Sequence, residues 1–356
     1  MVLIPQINIS EPWSRAASMK ERGSASVWIA VVLVAGLAFV LAGLFGRWYV
    51  FERALPLKEG RVEFRVAAGS SVRAIAQALQ AAGIAVNGDV MVAAARLTRT
   101  SQSLRAGRYA VESGITLGGL LDKLRAGDVL RERLTVVEGI VFRELRTLLS
   151  GQKELKQELL TASPGELLKA IGAVEVHPEG LFAPDTYVFD PGTSDIEIYR
   201  QAYRTQARLL QQLWDRRASG LPYKTPYEAL IMASIVEKET ARPAERAMIA
   251  GVFVNRLRLG MLLQTDPSVI YGLGTSFDGN LRKRDLLSDT PYNSYSRAGL
   301  PPTPIALPGR ASIEAALNPA TTAALYFVAR GDGTSHFSST LAEHNRAVDK
   351  YQRGIR

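Results

Sequence analysis

The sequence predicts an α+β protein with a single N-terminal transmembrane helix, a small α+β subdomain and a larger, mainly helical α+β domain. Three observations predict this. Val27 to Phe45 carries no charge; Val62, Phe64 and Val66 alternate just ahead of an amphipathic helix; and helical periodicity dominates after residue 131. The expected limits are a tail at 1–26, the transmembrane helix at 27–48, the small subdomain at 60–130 and the larger domain at 131–356.

The membrane segment, "VWIAVVLVAGLAFVLAGLF", is nineteen residues long. At about 1.5 Å per residue it nearly matches a hydrocarbon core of about 30 Å. Trp28 stands at one end, and Trp48 and Tyr49 at the other, as an aromatic belt requires. A cleaved signal peptide is the alternative, with "VLA" at Val40 to Ala42 as its cleavage site, but its apolar core usually runs about 7–15 residues. An uncleaved anchor is therefore expected. Arg15, Lys20 and Arg22 before the span balance Arg47, Arg53 and Lys58 after it, so charge sets no orientation. The bulk of the chain follows the span, which is the habit of signal anchors with the large domain outside.

After the span, Val62, Phe64 and Val66 read as a half-buried strand, Ser70 and Ser71 as a helix cap, and Val72, Ile75 and Leu79 as one helix face. Gly83 ends that helix, and a second follows over Asp89 to Leu97. A strand at Arg108 to Val111 and a helix capped by Thr116 repeat the plan. The larger domain opens with a strand at Arg133 to Gly139 and a helix from Val141. Helices are then expected over Glu166 to Ala170, Ile196 to Trp214, Pro226 to Ala241, Ala244 to Leu259, Ile313 to Leu317 and Ser339 to Gln352. The proline-rich "AGLPPTPIALPG", Ala298 to Gly309, cannot be regular structure, and such stiff loops often wall a groove.

Composition removes several function classes. The chain has no cysteine, which excludes disulfides, thiolate metal sites and cysteine nucleophiles. It has three histidines, and His336 and His344 lack a recognised ligand spacing, so no metal and no cofactor are expected. The net charge is +9, yet the longest basic cluster is "RKR" at Arg282 to Arg284, without interleaved aromatics, so no nucleic acid is expected as a partner.

The most informative stretch is "IMASIVEKETARP", Ile231 to Pro243. Thr225 caps this helix, Pro226 opens it, and Glu228 completes a capping box. Its interior is apolar all round, as in a core helix. Pro243 stops it, which leaves Glu237 and Glu239 in the final turn. There the negative end of the helix dipole disfavours an ionised carboxylate, and partial burial raises its pKa further. Glu237 and Glu239 point about 200° apart at the helical period, so they cannot form one close pair. Lys238 could neutralise either one. On periodicity alone the two acids are equal, and a helix that simply surfaces is the plain alternative.

"PEGLFAPDTY" (Pro178 to Tyr187), "MASIVEKETA" (Met232 to Ala241), "NRLRLGMLLQTDPSVIYGLG" (Asn255 to Gly274), "PYNSY" (Pro291 to Tyr295), "GLPPTPIALPG" (Gly299 to Gly309) and "YFVARGDGTSHFSSTLAEHN" (Tyr326 to Asn345) resemble the MltG-type, or YceG-like, endolytic murein transglycosylases. The first half of the small subdomain resembles a LysM module, a glycan binder. The resemblance implies a lyase that cleaves peptidoglycan strands internally, anchored in the bacterial inner membrane with its catalytic domain in the periplasm. It also implies that Glu239 is the catalytic acid, and Glu239-Thr240 is similar to the Glu-Ser pair of other lytic transglycosylases.

Candidate groove residues are Gln264, Asp266, Tyr292, Asn293, Tyr295 and Glu179, with Glu237 in support. Asp266 is otherwise a helix cap ahead of Pro267. Tyr292, Asn293 and Tyr295 otherwise form a surface turn, and Glu179 and Asp185 otherwise serve turns and caps. His336 and Asn345 are expected to make structural bonds. Two other functions compete: a glycoside hydrolase in which Glu179, Asp185 or Asp266 activates water, and a non-catalytic scaffold that gathers peptidoglycan synthases or division proteins.

Overall fold

The computed structural model describes residues 18–354. Helix α1 (Ser18–Phe51) contains the expected apolar run, and Val27–Phe51 is long and apolar enough to cross a membrane. Val27 to Tyr49 are exposed, Phe39 at 81%, while Val50 and Phe51 at its end pack against the core of the first unit. The part of the expected tail before Ser18 lies outside the described residues.

The chain divides into two compact units, one ending at Leu130 and the other beginning at Arg131. In the first, β1 (Arg61–Val66) leads to α2 (Val72–Ala81) and α3 (Gly88–Leu97), and β2 (Gly107–Glu112) leads to α4 (Leu117–Ala126). β1 and β2 pair antiparallel, with Phe64 opposite Tyr109. The alternation seen in the sequence becomes burial: Val62, Phe64 and Val66 face the core and their neighbours face out. Ser71 and Thr116 accept backbone N–H bonds as helix caps.

The second unit opens with β3 (Glu132–Thr135), α5 (Phe142–Ser150), α6 (Pro164–Ile171), β4 (Thr186–Phe189) and α7 (Asp195–Trp214). It continues with α8 (Pro226–Glu239), α9 (Pro243–Arg258), α10 (Asp266–Leu273), the short α11 (Lys283–Leu286) and α12 (Arg310–Leu317). The hairpin β5 (Tyr326–Ala329) and β6 (Ser335–Ser338) precedes α13 (Leu341–Tyr351). β3 pairs antiparallel with β4. It ends at Thr135, short of the expected Gly139, because its partner β4 begins at Thr186; Val136 N makes one further bond, to Asp185 O, before the chain turns at Gly139, whose φ is +80°.

α8 is the centre of this unit. Ala229 to Val236 are all buried, and the core around them includes Leu134, Phe182, Ile249, Phe253, Ile305 and Ile313. Thr225 caps the helix as expected, its hydroxyl accepting from Glu228 N at 3.2 Å, but the expected capping box does not close: Glu228 Oε2 accepts from Lys224 N, one residue before the cap. It stops at Glu239, two residues before the expected Ala241, because Thr240 is extended at φ −148°. Ser234, fully buried, donates to Ile231 O at 2.7 Å and accepts from Ile305 N at 2.9 Å. That bond fastens the proline-rich loop along the helix. Gly299 to Pro302 of the loop do line a groove, but beside Lys224, Tyr227 and Glu228, at the opposite end of α8 from Glu239.

Candidate active site

The two acids at the end of α8 take different partners. Glu237 Oε1 accepts from Arg246 at 3.1 Å and Oε2 from Gly309 N at 2.9 Å, with the side chain 5% exposed. Gly309 is the N-cap of α12, so this carboxylate sits at a positive helix end as well as against a guanidinium. Both of its oxygens are used inside the protein. Glu237 is thus anchored to α9 and α12 from both sides. Lys238 neutralises neither acid; it donates to Gly139 O at 3.1 Å.

Glu239 is the last residue of α8 and only partly exposed. Its Oε1 accepts a short hydrogen bond from the Thr265 hydroxyl. Burial pushes the carboxyl up to about 7, and the negative charge of Asp266 adds to the rise. The Thr265 bond and the Arg256 guanidinium oppose it. The result is an acid that is both protonated and ionised in quantity near neutrality, the condition for giving a proton and taking one back.

The segment from α9 to α10 places these partners. Arg256 is buried, donates to Leu325 O at 2.7 Å, Leu262 O at 3.1 Å and Leu263 O at 2.9 Å, and lies 5.0 Å from the Tyr326 ring centroid. It also reaches Gln264 Oε1 at 3.3 Å. Gln264 holds a left-handed backbone, φ +52°, which a non-glycine residue adopts at a cost. Its N–H donates to Ser294 O at 3.0 Å, so the turn is tied from both sides. Thr265 N donates to Ser294 Oγ at 2.9 Å, and Ser268 Oγ lies 2.8 Å from the same atom. Asp266, exposed at the first position of α10, accepts from the Tyr295 hydroxyl at 2.5 Å.

Glu239, Gln264, Asp266 and Tyr295 therefore belong to one network, assembled from α8, the turn before α10 and the "PYNSY" turn. Asp266 is not the cap of α10, as the turn pattern suggested; Thr265 holds that position. Asn293 is a second correction. It is fully buried, its amide donates to Leu286 O at 3.0 Å and Ser288 O at 2.6 Å, and its Oδ1 accepts from Tyr295 N at 2.9 Å. No donor remains for a ligand, and its work is to shape the turn that presents Tyr295.

Tyr292 and Glu179 lie in another cluster. Tyr292 shares a 2.9 Å hydrogen bond with Thr303 and meets Tyr271 edge-on at 4.8 Å. Tyr271 donates to Glu179 Oε2 at 3.0 Å, and both Glu179 oxygens accept from Phe142 N, at 2.9 and 3.1 Å. Glu179 is 2% exposed, and burial pushes it up to about 7 against those bonds. It fastens the start of α5 to α10 and is no surface ligand. Asp185 takes the turn role, with Oδ1 accepting from Thr186 N at 2.7 Å.

Thr265, Arg256 and Ser294 escaped the sequence reading. Thr265 was visible only as a turn residue between two candidates, and Arg256 only as one of several basic residues on a helix. Thr265 and Arg256 lie 26 and 17 positions from Glu239, and no local pattern spans such gaps.

The chain matches the model of the YceG-like family over residues 64–350. An endolytic murein transglycosylase of Bacillus subtilis (strain 168) is 32% identical over 308 residues, 82% of this chain and 84% of that protein. One from Streptococcus pneumoniae serotype 2 (strain D39 / NCTC 7466) is 26% identical over 346 residues, 87% of this chain and 62% of that longer protein. The crystal structure of a yceG-like protein from Listeria monocytogenes aligns with a TM-score of 0.52 at 29% identity, covering 81% of this chain and 98% of that one.

Proposed function

The chain belongs to the YceG-like family, and from that premise we propose that it is a membrane-anchored endolytic lytic transglycosylase of peptidoglycan. The observation that carries the chemistry is the Glu239 carboxyl, partly buried, held by Thr265 and raised to about 7. In the protonated form Glu239 donates to the glycosidic oxygen between N-acetylmuramic acid and N-acetylglucosamine, and the C1–O bond breaks. The carboxylate left behind takes the proton of the muramoyl O6 hydroxyl as O6 closes on C1. The product end is a 1,6-anhydro sugar, no water is consumed, and Glu239 regains its proton. One acid suffices, and positioned proton transfer supplies roughly 10²–10⁴-fold of the rate.

Gln264, Asp266 and Tyr295 form the groove wall beside the acid. Tyr292 contributes through the Tyr271 edge contact that seats α10. α1 is the membrane anchor, with the larger unit in the periplasm, and the smaller, LysM-like unit holds the glycan strand. A second reading rests on Asp266, a carboxylate whose charge is felt at Glu239. As the base for a water molecule it would make the protein a hydrolase.

Digestion of uncrosslinked glycan strands, with the new ends identified by mass spectrometry, separates the readings. Anhydro ends are expected. Reducing ends would establish the hydrolase, and intact strands would leave a glycan-binding scaffold for synthases or division proteins.

A further inference from the structure

Among the described residues other than glycine, only Arg99 and Gln264 hold a positive φ, and Gln264 does so at +52°. A glycine would sit there without strain, whereas a glutamine is held at a cost. Such a cost points to a task for the side chain. The task is not burial, because Gln264 is exposed.

Arg256 decides how the amide stands. Its Nη1 meets Gln264 Oε1 at 3.3 Å, while the same nitrogen donates to Leu262 O at 3.1 Å and Leu263 O at 2.9 Å. A guanidinium donates and does not accept, so the amide atom that faces it is the carbonyl oxygen. The guanidinium is itself fixed, since its Nε donates to Leu325 O at 2.7 Å and the residue is 7% exposed. Gln264 Nε2 therefore turns away from Arg256, and it donates to no acceptor among the described residues. The next residue, Thr265, gives its hydroxyl to Glu239, so these free donors stand beside the group that holds the acid.

An amide nitrogen can only donate, so a ligand atom placed there has to accept. On an N-acetylated glycan the acetamido carbonyl is a stronger acceptor than a hydroxyl or an ether, and it is neutral. A carboxylate would meet the side chain of Asp266, exposed two residues further on. We propose that Gln264 is a specificity-determining residue whose Nε2 donates to the acetamido carbonyl of the sugar seated at Glu239. Arg256 is the positioning residue that turns the amide towards it. The assignment rests on the glycan reading above, and it names the group by which that site recognises an N-acetylated sugar.

The absence of cysteine permits a direct test. A spin label at Ala241→Cys, exposed two residues after Glu239, on full-length protein in detergent broadens the proton signals of sugar bound near the acid. Fully N-acetylated chitotetraose is the probe. Cellotetraose, which has the same linkage and a hydroxyl in place of each acetamido group, is the control. The acetylated probe is expected to bind roughly tenfold more tightly, as one hydrogen bond allows. Gln264→Gly keeps the left-handed turn without the amide, and Gln264→Asn tolerates the turn but is too short. Each is expected to weaken the acetylated probe by roughly tenfold and to leave cellotetraose unchanged. Arg256→Lys, which keeps the charge without the fork, is expected to weaken the acetylated probe alone. Thermal unfolding verifies that each variant is folded. Equal affinity for the two probes, a loss shared by both probes, no change in either glutamine variant, or no broadening by the label overturns the proposal. The ends of cleaved strands are scored separately on the unlabelled protein. Selective binding without anhydro ends would sink the transglycosylase reading alone, and anhydro ends without this selectivity would sink the role of Gln264 alone.

Discussion

Thr265 occupies the N-cap position of α10, yet its hydroxyl serves Glu239 on α8 and makes no capping bond to its own helix. A missing cap typically costs a helix about 1 kcal/mol. The Thr265 hydroxyl thus holds the acid in place and lowers its proton affinity, against the larger and opposite effect of burial.

Replacing Thr265 with valine, equal in shape, is expected to lower the cleavage rate by roughly tenfold to a hundredfold, since a charge-assisted bond is lost. The same bond holds the Glu239 pKa down, so its loss moves the alkaline limb of the pH–rate profile upward. Thr265→Ser should restore both. An unshifted limb in Thr265→Val would separate Thr265 from the acid.

The general acid must be protonated in the free enzyme. With Glu239 near 7, kcat/KM should fall as pH rises through about 7, approaching tenfold per pH unit above it. Glu239→Gln should remove roughly 10²–10⁴-fold of the rate. If Glu239→Gln retains full activity while Glu237→Gln abolishes it with the fold intact, the acid has been misassigned.

Glu237 and Arg246 form a buried pair, 5% and 10% exposed at their side chains. Removing one partner alone leaves the other charge buried, at a cost of about 3–5 kcal/mol. Arg246→Met should therefore lower the thermal midpoint of the larger unit sharply. Residual cleavage per folded molecule, measured well below that midpoint, should change far less than in Glu239→Gln.

Glu179 offers a stability test. Its folded pKa, about 7, lies above its unfolded value near 4.5, so the native state binds the extra proton between those pH values. Stability is expected to be highest below about pH 4.5 as far as this group is concerned, and to fall as pH rises towards 7. The full effect is on the order of 3 kcal/mol. Glu179→Gln keeps acceptor capacity without the charge. Unfolding followed from pH 5 to 8 should show a shallower loss of stability in that variant than in the native protein.

The sequence made the parts of the fold governed by local periodicity plain. Thr225, Pro226 and the apolar run located α8, and the Val62–Phe64–Val66 alternation located β1. The hairpin of β5 and β6 was not legible, because each strand has four residues and shows no alternation of burial long enough to read. At the site, the helix end singled out two acids but could not rank them. Their difference lies in Gly309 and Arg246 on one side and Thr265 on the other, all tertiary contacts. Asn293 was misread for a related reason: an amide that looks free in sequence has all its capacity taken by backbone groups in the fold.

Ser294, buried and uncharged, receives Thr265 N, meets Ser268 and accepts Gln264 N through its own carbonyl. The fidelity of the acid is thereby delegated to a side chain that neither titrates nor faces solvent. Natural variation at this serine would leave every ionisable group of the site in place and still detune it. A survey of variants confined to charged residues would pass over this position.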